Sequence, residues 1–425
     1  MPNHYVVKTL MLSNGERLPV LIDQEDGMPL FAPTVYSVTE VRARNRAYNT
    51  IDQLLRHLMV FHIFLDQRGI DLDARLIQGR VLDLGEIDDL VRVCRMPMAD
   101  FVTQGEWKAD QIKPACATPL EKIRLRRSAF PKAINSASAS NRVRAIRDYL
   151  SWLVTAQMLK LPAGSATFSS LQDAGKFANQ TLSARVSGVG SKNTIGMREG
   201  LAPEVRARLL IVIARQSPEN PWKGAFTKAR NELIFRWLHA FGLRRGELLN
   251  VKVSDIDFRK EVVTIVRRAD DPEDPRRQEP CVKTRDRKIP IAPDLCRMTY
   301  DYVVKVRRQL VGARKHEFLF VADKTGSPMS LSALNKSFSF LRGKVPDLPD
   351  DFSPHVLRHT WNDNFSAAMD QRNIPAAEEQ KMRSFLMGWS ETSGTAFHYT
   401  KRHTRQKANE VSLQMQAEMT GGDLA

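Results

Sequence analysis

Cysteine is scarce in this chain. Cys94, Cys116, Cys281 and Cys296 are the only four in 425 residues, and none falls in a CxxC spacing or a pattern with histidine. Such spacing suits neither a zinc module nor a disulfide framework, so a reduced, cytoplasmic setting is expected. Long apolar runs are missing as well, as are a signal-peptide pattern and a lipidation motif, which argues against a membrane-bound class. Acidic residues are in deficit: 48 Asp and Glu face 64 Lys and Arg, giving a net charge of +16 and a pI near 9.8. A polyanionic partner is the consequence, with nucleic acid the first candidate. Tyrosine is sparse too. Of seven, only Tyr399 lies beyond residue 302.

What is present is apolar content, 42% of the chain, enough for packed cores. At this length two or more domains are expected. Residues 1–45 carry Ser13-Asn14-Gly15-Glu16 between apolar runs, a hairpin signal followed by an extended lead-in. Whether this is an arm that touches nucleic acid or a strand that covers the next domain is open. From Tyr48 the period turns helical, with Ile51, Leu54, Leu55, Leu58, Met59, His62 and Leu65 on one face up to Gly69. His62 there reads as a packed histidine. Further helices are expected over residues 84–94 and 141–161. On the second, Arg142, Arg144 and Arg147 lie opposite the apolar stripe, and the stretch Lys122 to Lys132 adds positive charge. A basic helical bundle suits a phosphate backbone.

Residues 179–200, with four glycines and three serines, read as a linker. Beyond it a second domain is expected over 201–408, then an amphipathic tail over 409–425. Within that domain Leu233, Phe235, Trp237, Leu238 and Phe241 make a buried helix stopping at Gly242, and the residues after it place Glu247 one turn from Arg244. Segments 261–268 and 287–291 read as strands, with Lys283 on a hairpin between them. The insert 269–280, rich in proline and charge, suits a solvent loop. Residues 293–311 read as a long basic helix, and 331–345 as another.

Near the end, Ser353-Pro354-His355-Val356-Leu357-Arg358-His359-Thr360 sets Pro354 at a helix start, so His355 and Arg358 share a face one turn apart. A proton carrier and a rigid guanidinium fork aimed at one place suit a phosphate. Each piece alone is commonplace: His-x-x-Arg often marks a solvated face, and an exposed Arg–Glu pair contributes little.

Together and in order they resemble the tyrosine recombinase (phage integrase) family. Gly242-Leu243-Arg244-Arg245-Gly246-Glu247 resembles its first arginine box, and Lys283-Thr284 with Lys288-Ile289-Pro290 its hairpin lysine. His355-Val356-Leu357-Arg358-His359 resembles the second box, and Leu386-Met387-Gly388-Trp389 with Tyr399 the last. The resemblance spans about residues 200–410. Two departures stand out: Trp389 occupies a place where most members have His, and the interval to Tyr399 is one residue longer than usual. An indole N–H can only donate.

The resemblance implies a mainly α fold with a small antiparallel β-sheet, in which a helical core-binding domain (46–178) precedes the catalytic domain. For the first domain the likeness lies in position, helix count and charge. It implies cutting and rejoining of double-stranded DNA, with Tyr399 as nucleophile and a covalent 3′-phosphotyrosine with a free 5′-hydroxyl as intermediate. Arg244, Arg358 and the Trp389 N–H would hold the phosphate, His355 would move a proton, and Lys283 would protonate the leaving 5′ oxygen. Neither a metal nor another cofactor is implied, since the bond energy is kept in the phosphotyrosine. A tetramer on two DNA sites is implied, with accessory recombinases or DNA-bending proteins as further partners. The expected location is cytoplasmic, on the nucleoid when bound. A type IB topoisomerase would use the same residues to reseal one strand, and a non-catalytic DNA-binding protein of this fold is the other alternative.

Overall fold

The computed structural model describes residues 4–103, 133–186, 199–280, 282, 284–390, 408–409 and 411–418. Lys283, Tyr399, Cys116, Cys281, the basic stretch 122–132 and part of the tail therefore lie outside the described residues. The chain divides into two compact units, one of Met1–Leu12 and Arg17–Lys192 and the other of Ser13–Glu16 and Asn193–Ala425.

In the first unit, strands β1 (Tyr5–Met11) and β2 (Arg17–Asp23) form the antiparallel hairpin, in register from Tyr5 opposite Asp23 to Met11 opposite Arg17. Helices follow: α1 (Phe31–Tyr36) continuing through a wide turn to Arg42, α2 (Tyr48–Arg68), α3 (Leu72–Ile77), α4 (Leu84–Cys94), α5 (Met98–Thr103), α6 (Ser136–Met158) and α7 (Ala166–Arg185). The expected lead-in is thus partly helical. The hairpin is no separate arm, because Tyr5 and Leu21 are packed into the same core as Ile51, Leu55 and Phe64 of α2. Gly69, at φ 61°, stops α2 in the left-handed conformation that glycine adopts without penalty. Asp83 and Glu86 close a reciprocal capping box at the start of α4. His62 sits among the rings of Tyr5, Phe61 and Tyr149, and burial pushes its pKa down to about 4.

Two expectations change here. α7 continues to Arg185, past the start of the expected linker, because Ala178 and Leu182 keep its apolar face buried and the glycines begin only at Gly188. The arginines of α6 are also less free than a basic face requires. Arg142 donates to the carbonyls of Cys94 (3.3 Å) and Met96 (3.1 Å), where a helix end leaves carbonyls unsatisfied and attracts cations. Arg147 donates to Asp148 (2.7 Å) and the Ser183 hydroxyl (3.2 Å).

The second unit contains α8 (Pro203–Ile213), α9 (Ala225–Phe241), α10 (Arg245–Asn250), strands β3 (Ile256–Asp257), β4 (Val262–Ile265) and β5 (Arg287–Pro290), then α11 (Pro293–Asp301), α12 (Leu331–Arg342), α13 (Pro354–Gln371) and α14 (Ala376–Met387). The strands form one antiparallel sheet in the order β3-β4-β5, with Val263 opposite Ile289 and Ile265 opposite Arg287. α9 runs through the core with Leu233, Phe235, Trp237 and Leu238 buried, and the Trp237 indole donates to the Thr299 hydroxyl at 3.0 Å. The expected long helix over 293–311 ends as α11 at Asp301. The chain then widens and tightens through residue 309, while the buried Arg307 donates to the carbonyls of Phe318 (3.0 Å) and His316 (2.7 Å). Arg307 is a brace, not part of a basic face.

The insert 269–280 is not a solvent loop. Asp271, Asp274, Arg276 and Glu279 are buried in it. Its many acids are consumed internally: Glu279 accepts the backbone N–H groups of Asp270 (3.0 Å) and Asp271 (3.2 Å), and Lys252 reaches Asp271 at 2.9 Å. Arg276 pairs with Asp274 (2.8 Å), donates to the carbonyls of Leu249 and Met329 (both 3.0 Å), and lies 4.4 Å from the Phe318 ring. Composition alone reads such charges as solvated, whereas here they satisfy backbone groups that the sheet and α10 leave open. Arg276→Met should therefore cost about 3–5 kcal/mol, since it removes the buried guanidinium that faces the Asp274 carboxylate and the donors that Leu249 and Met329 use. Urea denaturation of the full chain measures this, and a loss under about 1 kcal/mol would return the insert to the surface class.

Candidate functional site

The site is built where α9, α10, α13 and α14 meet. Gly242 ends α9 with φ 58°, and a Cβ there would lie 2.9 Å from Trp361 Cγ, so a side chain is excluded by both conformation and space. The turn leaves Arg244 extended at the N-cap of α10. Glu247, three residues on, accepts the Arg244 backbone N–H at 2.9 Å and its Nη1 at 3.3 Å. A carboxylate in the first turn both satisfies an orphan donor and suits the positive helix end.

Pro354 occupies the first turn of α13, so His355 and Arg358 fall on successive turns as the sequence predicts. They differ sharply in exposure. His355 is exposed, while Arg358 has no accessible surface; its Nη1 donates to the Gly242 carbonyl at 2.7 Å and lies 3.8 Å from Glu247 Oε2. The His355 ring meets His359 edge-on at 4.6 Å. Gly388 ends α14 at φ 67°, and Trp389 turns inward so that its ring faces the Arg358 guanidinium at 5.2 Å. The indole thus joins the site through its ring face, a cation–π contact that fixes the fork of Arg358.

Arg244, His355 and Arg358 line one cleft of about 650 Å³, together with Arg245, Arg342, Asn335, Ser339 and Ser353. Arg358 lies just beneath its surface, Arg244 is partly exposed on one wall, and His355 is exposed at the mouth. Beneath lies Glu247, itself buried. Burial alone would raise its carboxyl pKa, but Arg287 and Arg358, the Thr284 hydroxyl and the Arg244 N–H together hold it below the usual carboxylate value. One ionised carboxylate is therefore shared by three guanidiniums, which leaves the site cationic and suited to an anion.

Of the six sequence-predicted residues, Arg244, His355, Arg358 and Trp389 are brought into one cluster. Lys283 and Tyr399 lie outside the described residues. Sequence reasoning gave no role to Arg287, which is buried and donates to Glu247 Oε2 (3.1 Å), the Thr284 hydroxyl (3.1 Å) and the Leu386 carbonyl (2.7 Å). Its signal was the strand alternation: Arg287 shares the inward face with Ile289, while Lys288 and Pro290 point out.

The second unit is thus helical with a small antiparallel sheet, and carries a cleft with two arginines and a histidine over one buried carboxylate. Residues 216–406 match the model described as the phage integrase family, so this segment, a little under half of the chain, is similar to that family of tyrosine recombinases. A tyrosine recombinase XerC-like protein of Caldanaerobacter subterraneus subsp. tengcongensis is 27% identical over 206 residues, 44% of this chain and 50% of the relative. Tyrosine recombinase XerA of Thermococcus onnurineus is 30% identical over 191 residues, 44% of this chain and 57% of the relative. Each match spans only about half of the curated relative's length. Among solved structures, the XerH recombinase bound to its difH substrate before cleavage matches with a TM-score of 0.51 at 15% identity, covering 90% of this chain and 86% of that one. The post-cleavage XerH complex on palindromic difH gives 0.52 at 14%, covering 91% and 85%. At that identity the likeness is one of fold.

Proposed function

We propose that the chain is a site-specific recombinase that cuts and rejoins double-stranded DNA through a tyrosine. The observation that carries this reading is the convergence of Arg244, His355 and Arg358 on one cleft above a shared, ionised Glu247. A phosphodiester brings one negative charge, and a second develops as the nucleophile attacks. Fixed guanidiniums stabilise that added charge without reorganising. Glu247 and the Trp389 ring set the orientation of the forks beforehand, so little entropy is lost on binding.

Tyr399, ten residues past Trp389 in sequence, is the nucleophile. With a pKa near 10, about 0.1% of a free tyrosine is ionised at neutral pH, so the attack needs proton removal and positive surroundings. His355, exposed at the mouth, takes that proton, and Lys283 gives one to the departing 5′ oxygen. The named relatives are recombinases, which favours this reading over a topoisomerase. The binding-protein alternative fails to explain a buried carboxylate used to orient two arginines.

Incubated in EDTA with nicked duplex selected from a random-sequence pool by binding, the full chain should form a denaturant-resistant adduct with DNA. Absence of any adduct on bound DNA would return it to the binding-protein class. Affinity should also fall on the order of 10³-fold between roughly 50 and 200 mM salt, as for a protein releasing many phosphate counterions; a titration at several salt concentrations reads the slope, and a flat profile contradicts a backbone-gripping clamp. The assembly follows from exchange chemistry, which needs four active sites on two duplexes. In the tail, Val411, Leu413 and Met415 are exposed. Deleting residues 409–425 should weaken pairing of two sites in a gel-shift assay more than binding of one; equal loss of both would remove the tail from assembly.

A further inference from the structure

Two segments that the proposed chemistry uses from opposite sides of the phosphate are fastened to each other. The first starts at Thr284, joined by a peptide bond to Lys283; the second is the Leu386–Trp389 turn that leads toward Tyr399. The Arg285 backbone N–H donates to the Gly388 carbonyl at 3.0 Å. Arg287 spans the rest. Its Nε donates to the Leu386 carbonyl at 2.7 Å, Nη1 to the Thr284 hydroxyl at 3.1 Å, and Nη2 to Glu247 at 3.1 Å. The Thr284 hydroxyl, its oxygen occupied by Arg287 as acceptor, donates to the other Glu247 oxygen at 2.6 Å. Both Thr284 and Arg287 are buried. Gly388 is needed twice over. Its φ is +67°, and a Cβ there would lie 2.8 Å from Arg287 Nη1, 2.9 Å from the Arg285 carbonyl and 3.0 Å from Thr284 Cβ.

We propose that Arg287 is a positioning residue: with Gly388 and Thr284 it forms a clasp that ties the start of the Thr284–Pro290 segment to the Gly388 turn, and protonation of the leaving oxygen by the proposed general acid Lys283 depends on that clasp. The inference rests on the recombinase reading above. A lysine ammonium sits on a long flexible stem, and proton donation requires it within hydrogen-bond reach of one atom. Its main chain is one Cα–Cα step, about 3.8 Å, from the pinned Thr284. The pin is tied to Glu247, which also orients Arg244 and Arg358, so the acid and the phosphate-gripping forks share one reference point. An arginine that served only to fill the sheet would not need all three of its nitrogens committed to the two segments and the site carboxylate.

The step it serves can be written in full. The Tyr399 oxygen, its proton removed, forms a bond to phosphorus; the P–O5′ bond breaks with its electron pair going to O5′, which takes a proton from the Lys283 ammonium. Sulfur in place of that bridging oxygen leaves as a thiolate, with a thiol pKa of about 8.5, and needs no acid. A variant defective only in placing the acid should therefore recover on the sulfur substrate.

The test measures single-turnover adduct formation by the full-length wild type, Arg287→Met, Gly388→Ala, Thr284→Val and Arg244→Ala. Two nicked duplexes of the binding-selected site are used, identical except for oxygen or sulfur at the 5′ bridging position. Arg287→Met and Gly388→Ala should be slowed about 10²-fold on oxygen and Thr284→Val about tenfold, within the range a general acid supplies. On sulfur Thr284→Val should come within about threefold of wild type, and Arg287→Met and Gly388→Ala, which also touch the Glu247 and Trp389 supports of the arginines, should lose about tenfold less than on oxygen, whereas Arg244→Ala should lose as much on sulfur as on oxygen. Equal losses on both substrates in folded, DNA-binding clasp variants would overturn the proposal, as would no loss on oxygen. Should the Arg287 and Gly388 variants fail to fold, Thr284→Val, which keeps the shape and the Arg287–Glu247 pair, decides alone. A wild type that reacts with neither duplex would instead sink the recombinase reading.

Discussion

Tyr399→Phe should abolish covalent attachment to DNA while leaving folding and DNA affinity intact. The change removes one oxygen and almost no volume, so packing has little to lose. The chemistry loses everything, because a phenyl ring offers no atom to bond phosphorus and no other tyrosine follows residue 302. Single-turnover reaction on a nicked substrate, whose short cleaved fragment diffuses away, traps the adduct for gel analysis. An adduct from the Phe variant would mean that the nucleophile is misassigned, and peptide mapping of that adduct would name the right residue. Arg358→Ala is the informative companion. It should slow the reaction by about 10²–10³-fold, the usual cost of removing one oxyanion donor. Because Arg358 is fully buried and holds the Gly242 carbonyl, its loss should also lower stability, unlike that of the exposed His355.

Glu247→Gln should be the most destabilising conservative change in the site, by about 3–5 kcal/mol, the cost of breaking a buried ion pair from one side. The amide keeps the shape but leaves the buried Arg287 and Arg358 without their anion. A pH dependence follows. The folded carboxyl is held below its ordinary value near 4.3, so its stabilisation is full above that pH and is lost as pH falls through the lower folded value. Guanidinium chloride unfolding at neutral pH and again near pH 3 should show the gap between wild type and Glu247→Gln closing in acid. A gap that stays constant would place the Glu247 proton on the carboxyl at neutral pH and remove the anion from the centre of the site.

How much of this was legible beforehand differs from residue to residue. The spacing of His355 and Arg358 needed only the helical period and Pro354, and the helix stops at Gly69 and Gly242 needed only the left-handed preference of glycine. These are local matters, fixed within a few bonds, and the chain determines them by itself. The same locality places Glu247 one turn from Arg244. The insert 269–280 and the α6 arginines were misread for the opposite reason. Charge and proline content describe a segment's solubility, not which carbonyls elsewhere need a donor, and Arg276 finds its partners at Leu249 and Met329.

Only the tertiary structure decided what each charge is for. Arg287 and Leu386 stand 99 residues apart, Arg358 and Gly242 116 apart. No period or motif encodes such a meeting, because it depends on how α10, α13, α14 and the sheet pack. Long-range packing also turned Trp389 onto the Arg358 guanidinium, giving its ring face a role that the donor inventory of an indole does not contain. The sequence on its own determined which groups could handle a phosphate. The fold determined that one buried carboxylate would aim them, since only the interior can hold an ionised Glu247 among three guanidiniums and keep water from screening it.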